Sequence, residues 1–248
     1  MARKLTFLLK QRTGWRLAFK SALVSSALFL VYFFGASFVT LLIFVAASFW
    51  TYAASLPDKK NFRISFFISY VLGFAGAIFI DGPIFFLAGL LVFAAVIFGL
   101  EGAATLFFKD RVRVYEFLST AIVLGCFLFA FELGIYQDSL KLIAPILFLF
   151  VFGLVSEFLA VSGVAYGKRG LVLSAALALI ASELAFLLSF LPLGTVNAAA
   201  FAALLFIIAR EGLSAYFRGA FNLRLGLRLL VFLLFFVVLI LASSGWSL

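Results

Sequence analysis

Long apolar runs separated by short polar ones dominate this chain, and the runs are continuous rather than alternating. After a basic start, apolar sequence extends from about residue 17 to residue 55 with one interruption, "FFGAS" at Phe33–Ser37. A single helix over that stretch would measure about 60 Å, twice the hydrocarbon core of a bilayer. Gly35 therefore marks a turn between spans at 17–34 and 37–55. Further along, the punctuation is plainer: "PDKKNFR" (Pro57–Arg63), "DGP" (Asp81–Pro83), "KDRVR" (Lys109–Arg113), "YQDSLK" (Tyr136–Lys141), "GKRG" (Gly167–Gly170), "PLG" (Pro192–Gly194) and a basic stretch, Arg210–Arg228. The segments between them predict spans at 64–80, 84–107, 114–135, 142–165, 171–191, 195–209 and 229–244. A membrane barrel would instead show alternating segments of about ten residues. The pattern predicts an all-α fold, a polytopic transmembrane helical bundle of about nine spans in one integral membrane domain over 1–248.

The cations order these spans. With the N-terminus inside, 18 of the 19 Lys and Arg residues fall on inner segments, and only Lys141 falls outside. A wrong span count would scramble that alternation, so the positive-inside rule predicts this count and this orientation. The first twenty residues read as a basic interfacial segment leading into a retained first span, because the apolar run outlasts a signal peptide. Arg210–Arg228, with Leu, Phe and Tyr interleaved, reads as an inner loop or an in-plane amphipathic helix.

Composition agrees with the pattern. The chain has 248 residues, is 67% hydrophobic and 12% charged, and contains 36 Phe, more than one water-soluble core could hide. Its net charge of +9 would point to nucleic acid in a soluble protein. Here the cations flank spans, where they meet the anionic headgroups of the inner leaflet, so nucleic acid is not an expected partner. The expected location is the inner (plasma) membrane. With one cysteine, Cys126, inside an apolar run, and no histidine, the chain offers no internal disulfide, no His-ligated metal and no Ser-His or Cys-His catalytic arrangement. No cofactor or metal is expected.

The acids carry the functional question. Glu101 and Glu116 flank the basic loop 109–113, where Lys109, Arg111 and Arg113 are the expected ion-pair partners. Glu132 lies near the outer end of its span, within reach of the interface or of Lys141. Glu157 and Glu183 differ from these. Each follows a serine, Ser156 in "VSEFL" and Ser182 in "ASELA", and they sit on consecutive antiparallel spans joined by "GKRG". Both lie roughly 15–20 Å from that loop, near the middle of a core about 30 Å thick. A charged carboxylate at that depth costs about 2.5–3.5 kcal/mol on insertion scales. Protonated acids, a shared proton or a bound cation are the expected states, and they suit proton- or Na⁺-coupled transport. The structural alternative is a protonated Glu hydrogen-bonded across helices.

A wheel projection sharpens the seventh span. Ser174, Ala178, Ala181, Ala185 and Ser189 form one small-residue face suited to close helix packing. Glu183 points about 150° away, with Leu179, Ile180, Phe186 and Phe190. An acid facing lipid is unfavourable, so this span is expected to be covered on both sides.

"ELAFLLSFLPLG" (Glu183–Gly194), followed by "REGL" (Arg210–Leu213) and a basic loop, resembles an uncharacterised family of multi-spanning proteins from candidate-phylum bacteria. The resemblance covers about the last third of the chain and implies a bacterial inner-membrane protein without a defined activity. Two functions remain open: a proton- or cation-coupled transporter of a small solute, with Glu157, Glu183, Ser156 and Ser182 as its site and Glu132 and Glu101 as secondary candidates, or a non-catalytic membrane subunit or assembly factor that meets protein partners through its helix faces. An enzyme is not expected. Intramembrane proteolysis lacks a core lysine or aspartate pair, and lipid phosphotransfer lacks an Asp-rich inner loop.

Overall fold

The computed structural model describes residues 2–53, 62–105, 107–134, 140–163, 167–191, 193–217 and 219–243, the side chains of 2–12, 134, 140–142, 217, 239–241 and 243 excepted. These residues form helices without strands: α1 (Ala2–Phe34), α2 (Phe38–Ala53), α3 (Arg63–Phe79), α4 (Pro83–Ala104), α5 (Arg111–Gly134), α6 (Leu140–Ser162), α7 (Lys168–Leu188), α8 (Thr195–Phe217) and α9 (Leu223–Ser243). Among the described residues, six segments are long and apolar enough to cross a membrane: Thr13–Phe34 within α1, α4, Arg111–Leu133, Ile143–Ser162, α7 and Thr195–Tyr216. Helices α2 and α3 are shorter and apolar. By length and composition this is a multi-pass helical membrane protein. The expected turns around Lys59–Lys60 and Tyr136–Ser139, and the stop at Pro192, lie outside the described residues.

The helix starts have local causes. Gly35 takes φ +76°, the left-handed region that lets the chain reverse after α1. Ser37 then caps α2: its Oγ accepts from the Thr40 backbone N–H at 3.3 Å, and the Thr40 hydroxyl donates to the Gly35 carbonyl at 2.7 Å. At the far end of α3, Gly82 (φ +93°) precedes Pro83, whose fixed φ opens α4. Asp110 and Asn222 cap α5 and α9, accepting from the N–H groups of Arg113 and Leu225 at 3.3 Å and 2.8 Å. The Asp110 carboxylate also lies 3.4 Å from the Arg113 side chain.

The chain divides into two compact units, Met1–Ile122 and Val123–Leu248, and the boundary falls inside α5. In the first unit, α1 packs against α2, α3 and α4, and α3 packs on α4. The stripe Leu17, Lys20, Val24, Leu28 and Val31 is the buried face of α1. Near the start of α3, Phe62 meets the Tyr115 ring edge-on, and the Tyr115 hydroxyl and Ser65 share a 2.7 Å hydrogen bond. In the second unit, α6 packs extensively against α7, α7 packs on α8, and α8 on α9.

One expected boundary moves far. The stretch Arg210–Arg228 does not lie as a single in-plane helix: α8 continues to Phe217 and α9 begins at Leu223. The reason is visible on α8, where Ala199, Ala202, Ala203, Phe206, Arg210 and Ser214 form one buried stripe at helical spacing. Arg210 belongs to the packed face of a span rather than to a headgroup loop.

Candidate functional site

In the second unit, one ionisable side chain of α6 and one of α8 are withdrawn from the surface. Glu157 is 6% exposed and Arg210 is 3% exposed. Glu157 lies between Leu154 and Phe158 on the buried face of α6, a face set by apolar residues at helical spacing from Val151 onward. The Arg210 guanidinium carbon stands 4.8 Å from the centre of the Phe158 ring, the residue next to Glu157. A planar cation over an aromatic face gains electrostatically while keeping its edge free for carboxylate geometry. The neighbouring serine plays a local part: the Ser156 hydroxyl donates to the Gly153 carbonyl at 2.8 Å, within its own helix.

The two mid-span glutamates occupy unlike surroundings. The small-residue face of α7 is buried, with Ser174, Ala178 and Ala181 fully covered and Ala185 nearly so. Glu183 is exposed, as are Leu179, Ile180, Phe186 and Phe190 beside it. The expected cover on both sides of this span is therefore present on one side only. Helix α7 satisfies its close packing through the alanine face, and the acid faces outward. Ser182 turns inward, donating to the Ala178 carbonyl at 3.0 Å and approaching the Ala144 carbonyl of α6 at 3.5 Å. The gap beside it, lined by Ala144, Leu147 and Phe186 among others, measures about 10 Å³, at the lower limit for one water. Glu132 is exposed near the end of α5, and the side chain of Lys141 lies outside the described residues.

The first unit holds a buried ion pair between distant parts of the sequence. Lys20 Nζ of α1 lies 3.3 Å from Glu101 Oε2 of α4, eighty-one residues away. Local spacing pointed Glu101 towards Lys109, Arg111 or Arg113; the fold instead brings α1 alongside the last turn of α4. The pair sits next to a second polar tie, in which the Ser21 hydroxyl donates to the Ala94 carbonyl at 2.6 Å. The Tyr70 hydroxyl on α3 is buried and has no hydrogen-bond partner among the described residues.

Lys20 and Arg210 are thus buried cations that lie outside the acids singled out from the sequence. Their signal is periodicity. Lys20 is three residues after Leu17 and four before Val24, and Arg210 is four after Phe206 and four before Ser214, so both continue buried stripes. Grouping them with flanking topology cations hid that register.

The first unit also carries a groove between α2 and α3 of about 520 Å³. Phe44 stacks on Phe74, Phe44 meets Tyr70 edge-on and Tyr52 meets Phe66 edge-on along its length. Among the described residues, no group of three or more His, Cys, Asp or Glu side chains could hold a metal ion. Comparison with known proteins adds no relative: no family model, curated protein or solved structure matches the chain.

Proposed function

We propose that this chain is a proton- or cation-coupled transporter of a small solute in the inner membrane, with Glu157 and Arg210 as its charged centre. The observation that carries this reading is the burial of a carboxyl and a guanidinium in the same helical unit, the guanidinium standing over the ring of Phe158, the residue that follows Glu157. Membranes retain such groups at high cost, and they mark ion and proton pathways more often than scaffolding. An ionised Glu157 holds Arg210. A protonated Glu157, or one neutralised by a cation, releases the guanidinium for an anionic or polar solute. Ser156 and Ser182 then serve as helix-bonded neighbours rather than ligands, and Glu132 and Glu101 lie outside this centre.

The test uses the full chain in proteoliposomes under an imposed pH gradient, with a panel of amino acids, sugars and inorganic anions. A solute that accelerates decay of the gradient identifies the cargo. Glu157→Gln should abolish that acceleration, whereas Glu132→Gln should preserve it. Equal decay for the wild type and Glu157→Gln would refute the assignment.

A second reading, a membrane subunit or assembly factor, is favoured by the exposed acid face of α7. Glu183 among Leu179, Phe186 and Leu187 faces outward where lipid is a poor neighbour for it. A partner helix supplying a donor would cover it. Under this reading a second polypeptide co-purifies in stoichiometric amount from gentle detergent and is lost in Glu183→Leu.

A further inference from the structure

The groove between α2 and α3 is apolar along its length and cationic at one end. Its walls include Phe44, Val45 and Tyr52 from α2 and Arg63, Phe66 and Phe74 from α3. The α3 wall runs from Arg63 to Phe74, eleven residue steps, or about 16 Å at 1.5 Å per residue. That length matches one leaflet of a hydrocarbon core about 30 Å thick. Arg63 is exposed at the first position of α3, beside the polar connecting sequence that places this end at the membrane surface. No acid among the described residues forms an ion pair with it. Arg63 lines one end of the groove, and an arginine at such an end can lay its alkyl stem on apolar surface while its guanidinium meets the headgroup layer. Phe62 at the N-cap has no side-chain acceptor for the first helical N–H groups, so the positive end of the α3 dipole adds to the Arg63 charge.

We infer that this groove binds one anionic glycerophospholipid, with an acyl chain lying between α2 and α3 and the phosphate held by Arg63. The two halves of the site ask for different parts of one molecule. A solvent-borne anion would leave about 520 Å³ of aromatic-walled space without an occupant, and a hydrocarbon chain alone would leave the guanidinium without its counter-charge. The acyl chain fills the floor where α2 and α3 meet through ring contacts, and the phosphate takes the fork geometry that arginine presents. This site is independent of Glu157 and Arg210, so transport activity has no bearing on its test.

The experiment is native mass spectrometry of the full chain in mild detergent with an equimolar mixture of phosphatidylglycerol and phosphatidylcholine of matched chains. The wild type should retain one phosphatidylglycerol in preference to phosphatidylcholine. Arg63→Gln should cut that preference about fivefold, the ratio expected for one basic residue at an anionic surface. Val45→Trp, at a position 55% exposed on the wall, should reduce retention of both lipids by occupying the groove. Arg169→Gln, which removes an exposed cation at the start of α7, should change nothing. All variants are compared as monodisperse peaks on gel filtration. Equal retention of the two lipids by the wild type would overturn the inference, as would equal losses in Arg63→Gln and Arg169→Gln. Displacement of the lipid by millimolar inorganic phosphate would also overturn it, assigning Arg63 to a soluble anion.

Discussion

Lys20 and Glu101 face each other across 3.3 Å with side chains 11% and 0% exposed, tying the first helix of the chain to the last turn of the fourth. Withdrawing two charges from water costs several kcal/mol per ion, and their attraction recovers that only while both are present. Glu101→Ala should therefore destabilise the protein by about 3–5 kcal/mol, because the Lys20 ammonium stays buried without its counter-ion. The double variant Lys20→Met with Glu101→Leu should recover most of the loss, since a well-packed apolar pair of similar volume is often neutral. Thermal unfolding in detergent reads both. A double variant as unstable as Glu101→Ala would show that the pair contributes more than mutual neutralisation.

Close approach between α3 and α4 depends on Gly73. A Cβ built there would stand 2.6 Å from the Phe93 ring, which is itself 8% exposed and closed in by its neighbours. Gly73→Ala should cost about 1–3 kcal/mol through overpacking. Adding Phe93→Leu should make the pair of changes less harmful than the sum of the two alone, the sign of direct contact. Additive losses in the same unfolding assay would place the strain elsewhere.

Gly35 is required for a different reason. Among the described residues, no atom beyond its chain neighbours lies within 4 Å of the position its Cβ would take, so space is available, but φ is +76°. Gly35→Ala should cost about 1–2 kcal/mol from backbone strain alone. Gly35→Asn should lose less, because Asn tolerates the left-handed region. If both substitutions matched in stability, backbone conformation would not be the constraint at this turn.

The helical class, the break at Gly35 and the buried small face of α7 are legible in the sequence because each follows from a single segment's own periodicity or punctuation. The ion pair is not, because its partners lie eighty-one residues apart and nothing local couples Lys20 to Glu101. Arg210 shows a subtler failure. Its charge suits a topology loop, while its register with Phe206 and Ser214 suits a packed face, and burial resolved the conflict in favour of register. Glu183 reverses the expectation for the same reason. Close packing of Ala178, Ala181 and Ala185 fixes the rotation of α7, and the acid points wherever that rotation leaves it. The exposed face is thus a consequence of the alanine ridge, and Glu157, on the buried face of α6, is the mid-span acid that packing encloses.

The chain is well suited to a labelling test of its orientation. Its single cysteine, Cys126, is 1% exposed and should give little background with maleimides. The positive-inside distribution predicts that Gly35, between α1 and α2, faces outward and that Arg169, at the start of α7, faces inward. Gly35→Cys should react with a membrane-impermeant maleimide in intact cells, and Arg169→Cys only after permeabilisation. The reverse pattern would invert the topology and move Arg63, with the anionic end of the lipid groove, to the outer leaflet. Reaction of both positions in intact cells would mean that an odd number of crossings does not separate them, and the nine-span arrangement would fall.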